Sequence, residues 1–320
     1  MTTTVTVGAI NQGLTVAIGS NPFSKATLWD WIKFCDVQAA TQKTYDKAIQ
    51  SFLGYLKDNA IEMPTREDVI AYREFLINGG YKVSTVRLYM TIAKKFFRWL
   101  SSQCLYPNIA DGVKLPKLPT DEHAHDALTL DEAKATLATF KGKSEKDLRD
   151  KAIMALMLNC GLRSVEVVRL DLGDIEKRRG VWVVNVRGKG HTGKVSVQIS
   201  EPLKKIIDEY LAVRPKGKKN TALFISTARR NRGQRLQTQV ISRLAKRTFK
   251  AIGIESDRVT CHSCRSTTCT LLLEAGISIR ECQRVLRHRN AATTEIYARD
   301  LNIFNNKGVA TLGKLLFAAA

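Results

Sequence analysis

Near the middle of this 320-residue chain runs Lys114-Leu115-Pro116-Lys117-Leu118-Pro119, a stretch through which no helix can pass. Each proline lacks a backbone N–H and its ring clashes with the preceding turn, so the pair ends any helical run. The chain must therefore fold as two units, and its length suffices for each to bury a core of its own. We read 114–126 as a linker between a helical domain at 24–113 and a second domain at 127–300. Residues 1–23 carry no charged side chain and are rich in Thr, Gly and Val. They read as a poorly ordered extension, or as a strand that pairs only on assembly. Residues 301–320 form a tail.

The first half has helical periodicity. Tyr45, Ile49, Phe52, Leu53 and Leu56 share one apolar face, and Val86, Tyr89, Ile92, Ala93, Phe96, Phe97 and Leu100 share another. Thr65 followed by Asp68 marks a helix start, because a hydroxyl and an acidic third residue both serve free backbone N–H groups. Between the apolar faces the polar positions are repeatedly basic: Lys43, Lys47, Arg87, Lys94, Lys95 and Arg98. Such cations either contact phosphates or are simply solvated. The whole-chain balance favours the first reading: 51 Lys+Arg against 30 Asp+Glu give a formal charge of +21. So large an excess points to a polyanion, since each phosphate neutralised releases condensed counterions.

The second half opens on Thr129-Leu130-Asp131-Glu132, a capping box. A helix ends at Cys160-Gly161, where glycine takes the left-handed cap, leaving Arg163 just past the end. Two β-branched runs, Val181 to Val186 and Val195 to Ile199, flank Gly188-Lys189-Gly190 and Gly193, which predicts a hairpin with Lys189 at its tip. Helices are expected at 203–213, 240–252, 262–275 and 278–286, making the protein mainly α with a small β-sheet. In the second of these helices Arg243, Lys246, Arg247 and Lys250 lie opposite Val240, Leu244 and Ile252, a face suited to DNA. Basic stretches at 214–219 and 229–235 are either backbone clamps or solvated loops.

Several classes are disfavoured. Seven scattered cysteines suit reduced thiols in a cytoplasmic protein. Cys261, His262 and Cys264 have no second Cys/His pair at zinc-site spacing, and no carboxylate cluster suggests a metal-dependent nuclease, so no metal or cofactor is expected. Neither a secretory leader nor a membrane span is apparent.

The order Arg163, Lys189, His262-x-x-Arg265, His288, Tyr297 carries the most specific signal. With its contexts Gly161-Leu162-Arg163-x-x-Glu166, Gly-Lys-Gly between strands, Leu286-x-His288 and Thr293-Thr294-x-x-Tyr297, it resembles the tyrosine recombinases, the family of the phage integrases. The resemblance implies a two-domain clamp: a helical core-binding domain, and a catalytic domain that breaks and rejoins DNA through a 3′-phosphotyrosine. It assigns Arg163 and Arg265 to the scissile phosphate, His262 to proton transfer from the tyrosine, and His288 to a non-bridging oxygen. Lys189 becomes the acid for the 5′ leaving group, Tyr297 the nucleophile and Glu166 the group that orients the cations. These residue types suit the chemistry. Guanidiniums match a phosphate bidentately, lysine is a compact proton donor, and a phenol serves as nucleophile without metal once it sheds its proton.

This sequence departs from the family where His commonly follows the second arginine, here Ser266, and where Gly commonly precedes the later histidine, here Arg287. Arg287 reads as an added cation beside the phosphate. The expected partner is double-stranded DNA with specific core sites, contacted also by Lys43, Lys47, Arg87, Lys94, Arg243, Lys246 and Arg247, in the cytoplasm at the nucleoid. Dimers and tetramers on DNA are implied, and the tail offers Val309, Leu312, Leu315 and Leu316 at helical spacing for exchange between protomers. The competing readings are a type IB topoisomerase and a DNA-binding regulator without catalysis.

Overall fold

A computed structural model describes residues 21–118, 126–188, 193–288, 290, 294–297 and 307–317. The chain divides into two compact units, Met1–Thr120 and Asp121–Ala320.

The first unit contains four helices, α1 (Lys25–Phe34), α2 (Ala39–Asp58), α3 (Arg66–Asn78) and α4 (Val83–Ser102). Ser24 caps α1 by accepting from the Thr27 N–H, and the Asp68 carboxylate accepts from both the N–H and the hydroxyl of Thr65 at the start of α3. Such caps serve N–H groups that the helix itself leaves unpaired. The apolar stripes of the four helices meet in a core that includes Trp31, Ile49, Phe52, Tyr72, Phe96 and Phe97. Phe23 joins that core, its ring edge-on to Phe97 and Tyr106, so the folded unit begins just before the boundary read from charge.

After α4 the chain doubles back over the bundle without regular structure. Its carbonyls need donors, and long cationic side chains supply them: Arg73 to Lys114 O (2.9 Å), Lys94 to Val113 O (2.8 Å) and Arg87 to Pro116 O (2.7 Å). Arg87 and Lys94, expected on DNA, are thus engaged inside the fold. Lys43 and Lys47 remain exposed.

The second unit follows the order α5 (Leu130–Ala138), α6 (Glu145–Cys160), α7 (Ser164–Val168), β1 (Ile175–Arg178), β2 (Val181–Arg187), β3 (Lys194–Gln198), α8 (Glu201–Val213), α9 (Thr238–Ala251), α10 (Ser263–Glu274) and α11 (Ile279–Leu286). Residues 294–297 are helical, and α12 (Lys307–Phe317) ends the described chain. The architecture is the expected one, mainly helical with a small sheet. That sheet is an antiparallel meander in the order β1-β2-β3, with Ile175 opposite Val184 and Arg187 opposite Lys194. Strand β1 was not foreseen. Ile-Glu-Lys-Arg is short and charged, and it becomes a strand by pairing with β2, its charges guarding an open edge.

Helix α6 is buried along most of its length, with Ile153, Met154, Leu156 and Met157 at 0% exposure. A helix apolar around its circumference must lie inside, and the sheet, α8, α9 and α10 surround this one. It stops where Gly161 turns left-handed (φ 57°). A Cβ on Gly161 would sit 2.4 Å from Leu286 Cδ2, so the glycine lets the ends of α6 and α11 approach each other.

Gly161→Ala combines left-handed strain with overpacking, and we expect it to cost about 2–3 kcal/mol. Urea unfolding at unchanged m-value checks this, and a loss under about 0.5 kcal/mol, the range of neutral surface changes, would refute it.

Candidate active site

Arg265 organises the site. It lies in the first turn of α10, only 4% exposed, between the C-terminal ends of two helices. Its Nη1 donates to Gly161 O at the end of α6 (2.6 Å), its Nη2 to Leu286 O at the end of α11, and its Nε to His288 Nε2 (3.2 Å). Helix C-termini leave carbonyls without partners and carry partial negative charge, so a guanidinium is the fitting group to close them. Burial, then the guanidiniums of Arg163 and Arg287, pull the Arg265 pKa down to about 9, and it remains charged at neutral pH.

Glu166 lies beneath, fully buried on α7. Its carboxylate accepts from the Arg163 backbone N–H (2.9 Å), from Arg163 Nη1 (3.0 Å) and from Arg287 Nη2 (2.9 Å). Burial alone would push this carboxyl up. Arg287 first, then the Arg163 N–H and the charges of Arg163 and Arg265, hold it below the usual range. Glu166 thereby fixes two guanidiniums at once.

Arg287 is where sequence and structure part. It caps α11 in the left-handed conformation (φ 57°), which explains why glycine suits this position. Its side chain is 9% exposed and turns inward to Glu166 and to the carbonyls of Val285 and Cys160. It therefore secures the site from within instead of standing as an open cation for DNA.

His288 follows directly. Its Nε2 faces Arg265 and its Nδ1 lies 2.7 Å from the hydroxyl of Thr294, which is fully buried. Burial, then Arg265, Arg163 and Arg287, lower its pKa to about 4, so the ring is neutral at physiological pH. Tyr297, one helical turn after Thr294, rests on Cys269, Cys282 and Leu286, with its hydroxyl 3.4 Å from Ser266 Oγ. It is also an electrostatic neighbour of Arg265.

Arg163, Glu166, Arg265, His288 and Tyr297 thus come together in this unit. His262 precedes α10 one turn before Arg265 and is exposed. Lys189 lies outside the described residues, between the paired strand ends Arg187 and Lys194. Sequence reasoning passed over Thr294 and gave Ser266 no role. Their spacing to Tyr297 and Arg265 was visible, but not their contacts. Also unanticipated is an open concavity of about 340 Å³ lined by Arg280, Gln283, Arg284, Arg287 and His288.

Other expected DNA contacts vary. Arg243, Lys246 and Arg247 are exposed on α9, Arg247 pairing with the buried Asp150 (3.0 Å) and Lys246 lying 3.8 Å from Asp257. Arg214 is buried against Ala222 O, and Arg235 donates to the carbonyls of Val168 and Leu170, so neither basic stretch is wholly a solvated loop.

The family model described as "Phage integrase family" matches residues 126–302, and "Phage integrase, N-terminal SAM-like domain" matches 29–105. Tyrosine recombinase XerC of Caldanaerobacter subterraneus subsp. tengcongensis is 32% identical over 243 residues, covering 74% of this chain and 65% of that relative. Tyrosine recombinase XerA of Pyrococcus horikoshii is 31% identical over 238 residues, covering 74% of this chain and 76% of the relative. The fold is similar to that of the XerH site-specific recombinase crystallised with its palindromic difH substrate after cleavage. That likeness has a TM-score of 0.71 at 17% identity and covers 92% of this chain and 85% of that one.

The lowered pKa of His288 has a defined consequence for stability. As pH falls from about 6.5, the unfolded histidine takes up a proton that the folded ring refuses until about pH 4. Stability should therefore decline across that window and level off below it with respect to this group. His288→Asn should remove that part of the slope, read from urea midpoints at stepped pH. Identical slopes in the two proteins would contradict a neutral, half-buried His288.

Proposed function

This chain belongs to the phage integrase family of tyrosine recombinases, and from that footing we propose that it carries out site-specific DNA recombination with Tyr297 as nucleophile. The observation carrying this reading is the convergence of Arg163, Arg265 and His288 in one cluster, with Tyr297 an electrostatic neighbour of Arg265. Arg265 has committed three of its five N–H donors to the protein, and the other two are offered to the scissile phosphate. Arg163, turned by Glu166, supplies the second fork. Such preorganised charge stabilises the pentavalent transition state without reorganising when it forms.

In the proposed sequence Tyr297 attacks phosphorus, its proton passing towards His262, and the 5′ oxygen leaves with a proton from Lys189. The part given to Lys189 rests on the Gly-Lys-Gly sequence between β2 and β3. The phosphotyrosine conserves the bond energy, and attack by the 5′ hydroxyl of the exchanging strand regenerates the free phenol. The formal charge of +21 supports a duplex DNA partner, with Lys43, Lys47 and the exposed face of α9 among the phosphate contacts. Arg280 and Arg284, which line the concavity beside His288, extend that surface. The proposed setting is the cytoplasm, at the nucleoid, in keeping with seven free cysteines. Among the described residues no helix is long and apolar enough to cross a membrane. The recombinase relatives favour this reading over relaxation by a topoisomerase.

Assembly into dimers and tetramers on DNA is part of the proposal. Helix α12 leaves Leu312 55%, Leu315 75%, Leu316 68% and Phe317 83% exposed. A short helix with an uncovered apolar face needs a partner, and donation to the next protomer in a ring supplies one.

Nicked suicide duplexes carrying DNA that flanks the gene test the chemistry. Tyr297→Phe should bind yet form no covalent adduct, and undiminished trapping would remove Tyr297 from its role. Arg163→Ala should slow cleavage by about 10²–10³ with no rescue by a 5′-thio leaving group, whereas that substrate should largely rescue Lys189→Ala. Equal rescue in both would exclude Lys189 as the acid.

Deletion of residues 306–320 should preserve binding to a single site and abolish synapsis, followed by gel mobility and junction formation. A truncated protein that recombines normally would leave α12 without a part in assembly.

A further inference from the structure

The contacts of His288 define its tautomer in the free enzyme. Arg265 can only donate, so the His288 Nε2 that receives its Nε–H at 3.2 Å carries a lone pair. In the neutral ring the proton is then on Nδ1, directed at Thr294 Oγ1 2.7 Å away. A non-bridging phosphate oxygen requires the reverse, because it accepts and Nε2 must donate.

A second proton on the ring is disfavoured by burial and by Arg163, Arg265 and Arg287, which outweigh the opposing Glu166. A neutral route exists because the Nδ1 partner is a hydroxyl. A carbonyl or carboxylate there would only accept and would lock the proton on Nδ1. A hydroxyl accepts in one rotamer and donates in another. Thr294 is fully buried, so no water replaces it, and it lies on the same helical turn as Tyr297.

We propose that Thr294 is a positioning residue that lets His288 exchange tautomers, Nδ1–H in the free enzyme and Nε2–H when a phosphodiester occupies the site. On loading, one proton leaves Nδ1 and one arrives at Nε2 through solvent, with no net uptake. The Thr294 hydroxyl rotates from acceptor to donor, and a phosphate oxygen takes the place of His288 Nε2 as acceptor of the Arg265 Nε–H, the guanidinium keeping its contacts to Gly161 and Leu286. Docking of the turn that carries Tyr297 therefore also supplies the group that makes His288 a donor. This inference rests on the reading of His288 as a phosphate contact.

The test uses the full chain with ¹⁵N-labelled histidine, and inorganic phosphate as the probe. Long-range ¹H–¹⁵N spectra distinguish a protonated from an unprotonated ring nitrogen, and His288→Asn identifies the His288 signals. The free protein should show a protonated Nδ1 and a bare Nε2, reversed at saturating phosphate. Thr294→Ser should behave as wild type. Thr294→Val should leave the reversal incomplete and weaken phosphate binding about tenfold, the effect of one lost hydrogen bond.

A protonated Nε2 in the free wild-type protein would overturn the proposal, as would a complete reversal in Thr294→Val. The wild-type spectra alone decide if the valine variant does not fold. A phosphate-dependent shift without tautomer change would sink the exchange and leave the phosphate site standing. No phosphate-dependent shift at His288 would refute both the exchange and the phosphate contact on which it rests.

Discussion

The closure of two helix ends by one buried guanidinium underlies the rest of this site. Helices α6 and α11 both stop in left-handed residues, Gly161 and Arg287, and point their terminal carbonyls inward. Arg265 satisfies Gly161 O and Leu286 O together, joining residues 104 and 21 positions away. The same contacts that let this part of the domain fold also aim the guanidinium and fix its plane. Three arginines then face one carboxylate, leaving two positive charges uncompensated within the cluster of Arg163, Arg265, Arg287 and Glu166. Their mutual repulsion is sustained by the fold, and an anion relieves it. Preorganisation here is a stored electrostatic imbalance that favours an anion.

The exchange of glycine for Arg287 shows how that imbalance is managed. A non-glycine residue in the left-handed region costs roughly 1–2 kcal/mol. The side chain offsets this by pairing with Glu166, whose burial would otherwise favour protonation. A protonated Glu166 would hold neither Arg163 nor its own share of the local charge. Arg287 is thus a structural cation whose effect reaches the chemistry through Glu166 and Arg163.

Much of this was legible locally. The capping boxes at Thr65 and Thr129, the end of α6 at Gly161 and the β2–β3 hairpin follow from residues within a few positions of each other. The candidate series came from the resemblance of its order and local contexts to the tyrosine recombinases. What escaped depends on partners distant in sequence. Arg87 and Lys94 read as surface cations because nothing near them reveals that a returning strand of chain will present its carbonyls. Arg287 read as a cation for DNA because Glu166, 121 positions earlier, is invisible to any window. Thr294 was one member of a pattern, and only the fold shows that its hydroxyl meets an imidazole.

The site also divides by how firmly its parts are held. Arg163, Glu166, Arg265 and Arg287 are tied by charged hydrogen bonds in a buried network, where removal of one partner strands another and costs several kcal/mol. The turn bearing Tyr297 meets the cluster through hydroxyl contacts, Thr294 to His288 and Ser266 to Tyr297, and packs on Cys269, Cys282 and Leu286. Neutral hydrogen bonds contribute about 1 kcal/mol each, less than the charged bonds that hold the arginines. The arginine cluster is thus held by charge, and the tyrosine turn is joined to it through neutral groups.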